Sequence, residues 1–146
     1  MAKMNPPLRS AADRDAIREG LRDGAIDVIA TDHAPHAMDE KMEEFDQAPF
    51  GIVGLETAVG IAFGLVRDGI LTLPELVRRM SVNPASILKV PGGSLAVGSV
   101  ADITIIDPEQ EWTVAASQFR SKSRNTPFEG WKLKGRAVQT IVGGRI

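Results

Sequence analysis

The stretch Ile26-Asp-Val-Ile-Ala-Thr-Asp-His-Ala-Pro-His36 constrains the chain more than any other. Ile26, Val28 and Ile29 favour β structure, Gly24 precedes them, and Pro35 forbids continuation as a helix, so the pattern predicts one short buried strand. Asp32 then stands at the C-terminal end of that strand. In a parallel α/β barrel this is the end where reactive groups project, while the body of the strand fills the core. A carboxylate with imidazoles one and four positions later supplies a metal ligand, a proton carrier and an anion-binding group at close quarters. The same spacing also suits a plain strand-to-loop turn, in which Asp32 caps local N–H groups and both histidines face solvent.

His33 and His36 are the two histidines of the chain, and cysteine is absent. A catalytic zinc usually takes three protein ligands. Asp32, His33, His36 and Asp39 are the local candidates, but successive side chains leaving a strand point to opposite faces, which disfavours a self-contained metal site. The lack of cysteine removes disulfides and thiolate metal sites and is compatible with a cytoplasmic protein. With 146 residues, 43% of them hydrophobic and 25% charged, the chain has the makings of an ordinary globular domain. Its net charge of -2 is spread over interspersed acids and bases. That gives no basic stripe for nucleic acid and no polybasic membrane patch, so a small anionic substrate has to find local positive charge. No apolar run approaches the ~20 residues of a membrane span and no signal-peptide core is visible, so a soluble, cytoplasmic protein is expected.

Pro6-Pro7 forces an extended path and pushes Asn5 toward β geometry, so Asn5 reads either as the last residue of a strand whose earlier part is missing or as a turn residue. Ser10 to Asp13 resembles a capping box, and Ile17 with Leu21 forms an apolar pair under a charged face, predicting a helix of about three turns that ends near Gly24. Strand end, helix and strand together give the rhythm of a parallel sheet. Ala37 to Gln47 reads as a polar loop with its acids, Asp39, Glu40, Glu43 and Glu44, in solvent. Ala48 to Gly54 is apolar but broken by Pro49 and Gly51, which suits an ordered loop whose backbone N–H groups approach something closely, or ordinary loop packing. A helix covered on more than one flank is expected from Leu55 to Val66. A second opens at Thr72-Leu-Pro-Glu75, and Asn83-Pro84 starts a short third one ending near Leu88. Beyond Pro91-Gly92-Gly93 the pattern turns to β, with strands expected at Ala101–Asp107, Trp112–Val114 and Val138–Val142. Between them, Ser121 to Pro127 reads as an ordered excursion back toward the first part.

Taken together, Asn5-Pro-Pro-Leu-Arg9, Ala30-Thr-Asp-His-Ala-Pro-His36, Ala48-Pro-Phe-Gly-Ile-Val-Gly-Leu-Glu56, Asn83-Pro-Ala85, Gly98-Ser-Val-Ala-Asp-Ile103 and Ser121-Lys-Ser-Arg-Asn-Thr-Pro-Phe128 resemble the C-terminal third of class I dihydroorotases, in the amidohydrolase superfamily. The Asp-His-Ala-Pro core and the Gly-x-x-Ala-Asp strand are shared with allantoinases and hydantoinases. Asn5 before Pro-Pro-Leu-Arg and the run from Pro49 to Glu56 look like dihydroorotase. The resemblance implies an α/β fold: residues 1–90 as the last strands and helices of a metal-dependent TIM-barrel hydrolase, and residues 91–146 as part of a small β-sandwich domain. It further implies reversible cyclisation of N-carbamoyl-L-aspartate to L-dihydroorotate, in pyrimidine biosynthesis, at a zinc centre with one metal ion or two. On this match Asp32 is both metal ligand and proton carrier. Asn5, His36, Phe50 and Gly51 bind substrate, and His33 is structural.

The family's His-x-His pair, its arginine and its other metal-binding histidines have no counterpart in the sequence, so the resemblance implies a fragment that is inactive alone and needs the missing N-terminal portion as its partner. The full-length form is expected to be a homo-oligomer. Two other readings stay open: a non-catalytic subunit that scaffolds aspartate carbamoyltransferase, and another cyclic amidohydrolase. A barrel cut in this way leaves strand edges and apolar helix faces wet, so the isolated chain is expected to be aggregated, molten or partner-dependent.

Overall fold

The computed structural model describes residues 2–146. The first helix, α1 (Ala11–Asp23), starts as its sequence requires: the Ser10 side chain accepts from the Asp13 N–H while the Asp13 carboxylate reaches back, and Gly24 closes the helix at φ 89°. The helix α3 (Leu55–Arg67) follows a loop that itself contains a short helix, α2 (Met38–Met42). The continuous loop expected over Ala37–Gln47 is therefore corrected at its centre. The acids do face solvent, with Asp39 and Glu40 inside the helical turn and Glu43 and Glu44 after it, but its Lys41 is buried.

Thr72 and Glu75 form the expected capping box at the start of α4 (Leu73–Val77), with Pro74 in the first turn. Asn83-Pro84 begins the expected short helix, though with no break before it. The chain runs from α4 through a π turn, Arg78–Val82, directly into α5 (Asn83–Leu88). Pro84 has no N–H to give, and one residue earlier the Asn83 N–H reaches back five residues to the Arg78 carbonyl, so the helix widens to accommodate proline instead of ending.

Residues 26–30 follow the expected extended course but join no sheet. Helical groups take the place of a strand ladder. The Ile29 N–H donates to the Arg79 carbonyl at 3.1 Å, the Asn83 Nδ2 donates to the Asp27 carbonyl at 2.8 Å, and the Arg79 guanidinium lies 3.3 Å from Asp27 Oδ1 and 3.2 Å from the Leu21 carbonyl. Parallel pairing begins only past the segment, as a single bridge between His33 and Ile52. The predicted buried strand is thus corrected to a segment docked on a helix, because no strand among the described residues lies beside it. Asn5 likewise ends no strand.

The sheet that does form is antiparallel and two-stranded: β1 (Ile103–Thr113) pairs with β2 (Lys132–Ile141), from Ile103 opposite Ile141 to Thr113 opposite Lys132. The strands expected at 101–107 and 112–114 are one strand carried through an irregularity between Asp107 and Glu111. Pro108 sits there, where no ladder N–H is required, and Asp107 Oδ1 accepts from the Glu109 and Gln110 N–H groups at 2.9 and 3.1 Å. The last strand starts at Lys132, ahead of the expected Val138. Among the described residues no second sheet covers this pair.

Two apolar clusters hold these pieces together. Leu21, Ala62, Phe63, Ile70, Leu71 and Leu76 form one, against which Ile26, Ile29 and Met80 pack. Val53, Val114, Ala116, Phe119 and Leu133 form the other, joined by Ile61, Trp112 and Phe128. Helix α3 serves both, as its two-sided apolar pattern predicts. Its close approach to β2 depends on Gly135, which has φ 95° and no room for a Cβ, since one would lie 2.8 Å from Phe63 Cγ. No helix among the described residues is long and apolar enough to cross a membrane.

Candidate functional site

Gly51 is the knot of the site. Its N–H donates to the Lys3 carbonyl at 2.9 Å. Its own carbonyl accepts from Lys41 Nζ at 3.0 Å and from Asn125 Nδ2 at 3.3 Å. Its φ of 111° suits glycine, and an added Cβ would collide with the Cβ of Ala34. The residue before it, Phe50, offers its carbonyl to His36 Nε2 at 2.9 Å. A carbonyl only accepts, so this nitrogen carries the proton, which leaves His36 Nδ1 facing Glu40 Oε2 at 3.7 Å. Phe50 also lays its ring beneath the Lys3 ammonium, 4.7 Å from the ring centroid.

The structure therefore brings three of the predicted residues, His36, Phe50 and Gly51, into one hydrogen-bonded turn. Asn5 is exposed and follows two residues after Lys3, whose carbonyl belongs to the same knot. Asp32 stands apart from this network. It is exposed, adopts φ 43° just before the bridge at His33, and takes part in no ion pair among the described residues. A non-glycine residue in that backbone region is uncommon and is found disproportionately at functional positions. An exposed carboxylate without a cationic partner suits a hard metal ion. Among the described residues, however, no group of three or more His, Cys, Asp and Glu side chains gathers to hold one, so Asp32 fits as a single ligand of a larger set.

His33 has a structural task here. Its Nδ1 accepts from the N–H groups of Gly54 and Leu55 at 3.1 and 3.4 Å, so the imidazole caps the start of α3. Neither histidine lies loose in solvent, as the plain-turn reading supposed.

Two residues of the site escaped the sequence reading. Asn125 is 1% exposed and clamps the turn from behind: Nδ2 donates to the Ala34 carbonyl at 2.9 Å, Oδ1 accepts from the His36 N–H at 3.4 Å, and its backbone carbonyl accepts from the Val53 N–H at 3.1 Å. The excursion expected over Ser121–Pro127 does return to the first part, held also by the Ser121 N–H on Glu56 Oε1 at 2.9 Å. Lys41 is 4% exposed, and burial, then the nearby Lys3 charge, hold its ammonium below the usual lysine value. The available signal was a lone cation inside an otherwise acidic run, Asp39 to Glu44.

A family model described as "Amidohydrolase family" matches residues 4–146. Curated relatives include a dihydroorotase of Geobacter metallireducens, 59% identical over 145 residues, and one of Syntrophus aciditrophicus, 57% identical over 144 residues; each alignment covers 99% of this chain and 34% of the relative. Among solved structures, the L-hydantoinase (dihydropyrimidinase) of Arthrobacter aurescens superposes with a TM-score of 0.90 at 36% identity, over 97% of this chain and 33% of that one. The dihydropyrimidinase of Brevibacillus agri NCHU1002 gives 0.91 at 27% identity, over 99% and 33%. The chain thus spans about a third of the length of the curated relatives it matches. With its family match running through the Asp32 segment, the Gly51 knot and the Asn125 clamp alike, the chain belongs to the amidohydrolase family.

Proposed function

We propose that this chain is the C-terminal part of a dihydroorotase, which interconverts N-carbamoyl-L-aspartate and L-dihydroorotate once the remaining part of the enzyme is present. The observation that carries the reading is the closed turn of His36, Phe50 and Gly51, in a chain 59% identical to a dihydroorotase along nearly its whole length. The hydantoinase of known structure reaches 36%. Residues 1–90 would complete a barrel and residues 91–146 a small β domain whose further strands come from elsewhere in the full protein.

In this reading the residues divide binding from proton transfer. His36 Nε2–H is held by the Phe50 carbonyl, so the imidazole would meet the substrate carboxylate through Nδ1, in place of Glu40 Oε2. Gly51 N–H is spent on Lys3, and among the described residues no backbone bond engages the Phe50 N–H. Phe50 N–H, with Asn5, is then the donor that suits the carbonyls of the substrate ring. Asp32 would hold the metal with ligands from the remaining part of the enzyme; zinc, when bound, supplies Lewis-acid activation. The Asp32 carboxylate takes a proton from the attacking water and returns it to the ring nitrogen as the ring C–N bond breaks.

The test joins this chain to the upstream part of the Geobacter metallireducens relative. Asp32→Asn should lower kcat far more than it raises KM, since an amide cannot carry the proton, and His36→Ala should chiefly raise KM. The unjoined chain with added zinc should show no turnover above a buffer blank. Near-normal kcat in Asp32→Asn, or turnover by the unjoined chain that Asp32→Ala abolishes, would overturn this assignment.

A further inference from the structure

We propose that Lys41 is a positioning residue for substrate binding, drawing the Asn5 segment and the Phe50–Gly51 turn together beside His36; this rests on the dihydroorotase reading above. The ammonium has three protons, and three carbonyls meet it: Pro49 at 2.8 Å, Gly51 at 3.0 Å and Lys3 at 3.5 Å. They come from the two stretches that carry Asn5 and Phe50, and Lys41 itself lies on α2, which begins just after His36. One side chain therefore ties together all three stretches that hold the expected substrate contacts.

Burying a charge is expensive unless it is paired, and the acids beside Lys41 in sequence, Asp39, Glu40, Glu43 and Glu44, are exposed and form no ion pair with it among the described residues. Its charge is met by carbonyl dipoles alone. Three carbonyls call for three donors, which the ammonium has and a neutral amine, with two, lacks, so the charged form suits the tie. With Lys3 over the Phe50 ring, it places positive charge behind the turn, in a protein of net charge -2 whose expected substrate carries a carboxylate. Asp32 is outside the network, so loss of Lys41 should weaken binding and spare the chemical step.

The experiment uses the joined enzyme with Lys41→Met, which keeps length without charge, and Lys41→Arg, which keeps charge. Lys41→Met should raise KM about tenfold or more, by the usual penalty for misplaced contacts, and leave kcat within about threefold. Lys41→Arg should recover part of the loss. Hydrogen exchange of residues 48–54 should speed up in Lys41→Met, while the main thermal transition remains cooperative. An unchanged KM in Lys41→Met overturns the proposal. So does loss of the cooperative transition in both variants, which would make Lys41 a general prop. If the unmodified joined enzyme does not turn over dihydroorotate, the dihydroorotase reading has failed on its own, and exchange at 48–54 then decides: acceleration in Lys41→Met upholds the positioning, and unchanged exchange overturns it.

Discussion

Removing the Asn125 side chain should cost this protein more than the loss of any exposed charge, because this buried side chain satisfies half-buried backbone groups. Asn125→Ala strips the Ala34 carbonyl of a donor at 2.9 Å and the His36 N–H of an acceptor at 3.4 Å. Gly51 keeps Lys41 and is not orphaned. An unsatisfied buried polar group costs about 1–3 kcal/mol, and the long His36 contact belongs at the low end, so the two together come to about 2–4 kcal/mol. That is a large share of the ~5–15 kcal/mol that holds a domain folded. Asn125→Leu separates the causes, since it removes the same bonds while filling the space. The assay is urea unfolding of the joined enzyme described above, followed by tryptophan fluorescence at matched dilute concentration. Both variants should unfold at clearly lower urea with an unchanged slope. If Asn125→Leu were as stable as the parent, the clamp would contribute packing alone, and the reasoning from satisfied carbonyls would be wrong.

Three further outcomes are expected. His33→Ala removes the acceptor for the Gly54 and Leu55 N–H groups and should cost about 0.5–2 kcal/mol, as loss of a helix cap does; a urea midpoint equal to the parent's would deny His33 that role. The Glu75 carboxyl is held below its ordinary value of 4.5 by the Thr72 hydroxyl and then the Thr72 N–H, so its contribution is full above the unfolded value and lost as pH falls through the folded one; Thr72→Val should weaken that acid dependence of α4 in circular dichroism, and an identical acid limb would contradict it. The isolated chain, with Leu8 73%, Leu55 60% and Leu88 70% exposed and no ladder on residues 26–30, should associate or melt without cooperativity, whereas a monodisperse monomer on size exclusion with one sharp transition would show a self-sufficient domain.

The helices were legible wherever a cap chemistry announced them. Ser10 with Asp13 and Thr72 with Glu75 act locally, and their bonds form whatever the rest of the chain does. Asn83-Pro84 marked the start of α5, but the sequence did not show that the preceding helix runs into it through a π turn without a break. The strand at Ile26–Ala30 was read correctly as extended and apolar, but strand status belongs to a pair, and periodicity does not reveal whether a partner lies alongside. Within the site, the residues visible in sequence were those carrying chemistry at their tips, Asp32 and His36. The roles of Lys41 and Asn125 were not legible because they act on backbone carbonyls contributed by distant stretches, and a contact spanning from residue 34 to residue 125 leaves no local spacing to detect.

The two sides of α3 differ in how complete they are, and on the dihydroorotase proposal this difference bears on what the remaining part of the enzyme would have to supply. Toward α1 and residues 26–31, Ile17, Leu21, Val28, Ile52 and Ile61 border a cavity of about 880 Å³. At about 25 cal/mol per Å² of apolar surface, a few hundred Å² left wet there forfeits several kcal/mol. Toward Gly51 the groups are closed within the chain itself, with Lys41, Asn125 and His36 each bonded to carbonyls of the same turn. Completion of the protein would therefore bring its largest apolar gain at the cavity and add metal ligands around Asp32, while the His36–Gly51 turn needs no outside group to take its shape. In the proposed reading, this chain's part in holding the substrate carboxylate is preformed at His36, and the chemical step waits on ligands that join Asp32 from the remaining part of the enzyme.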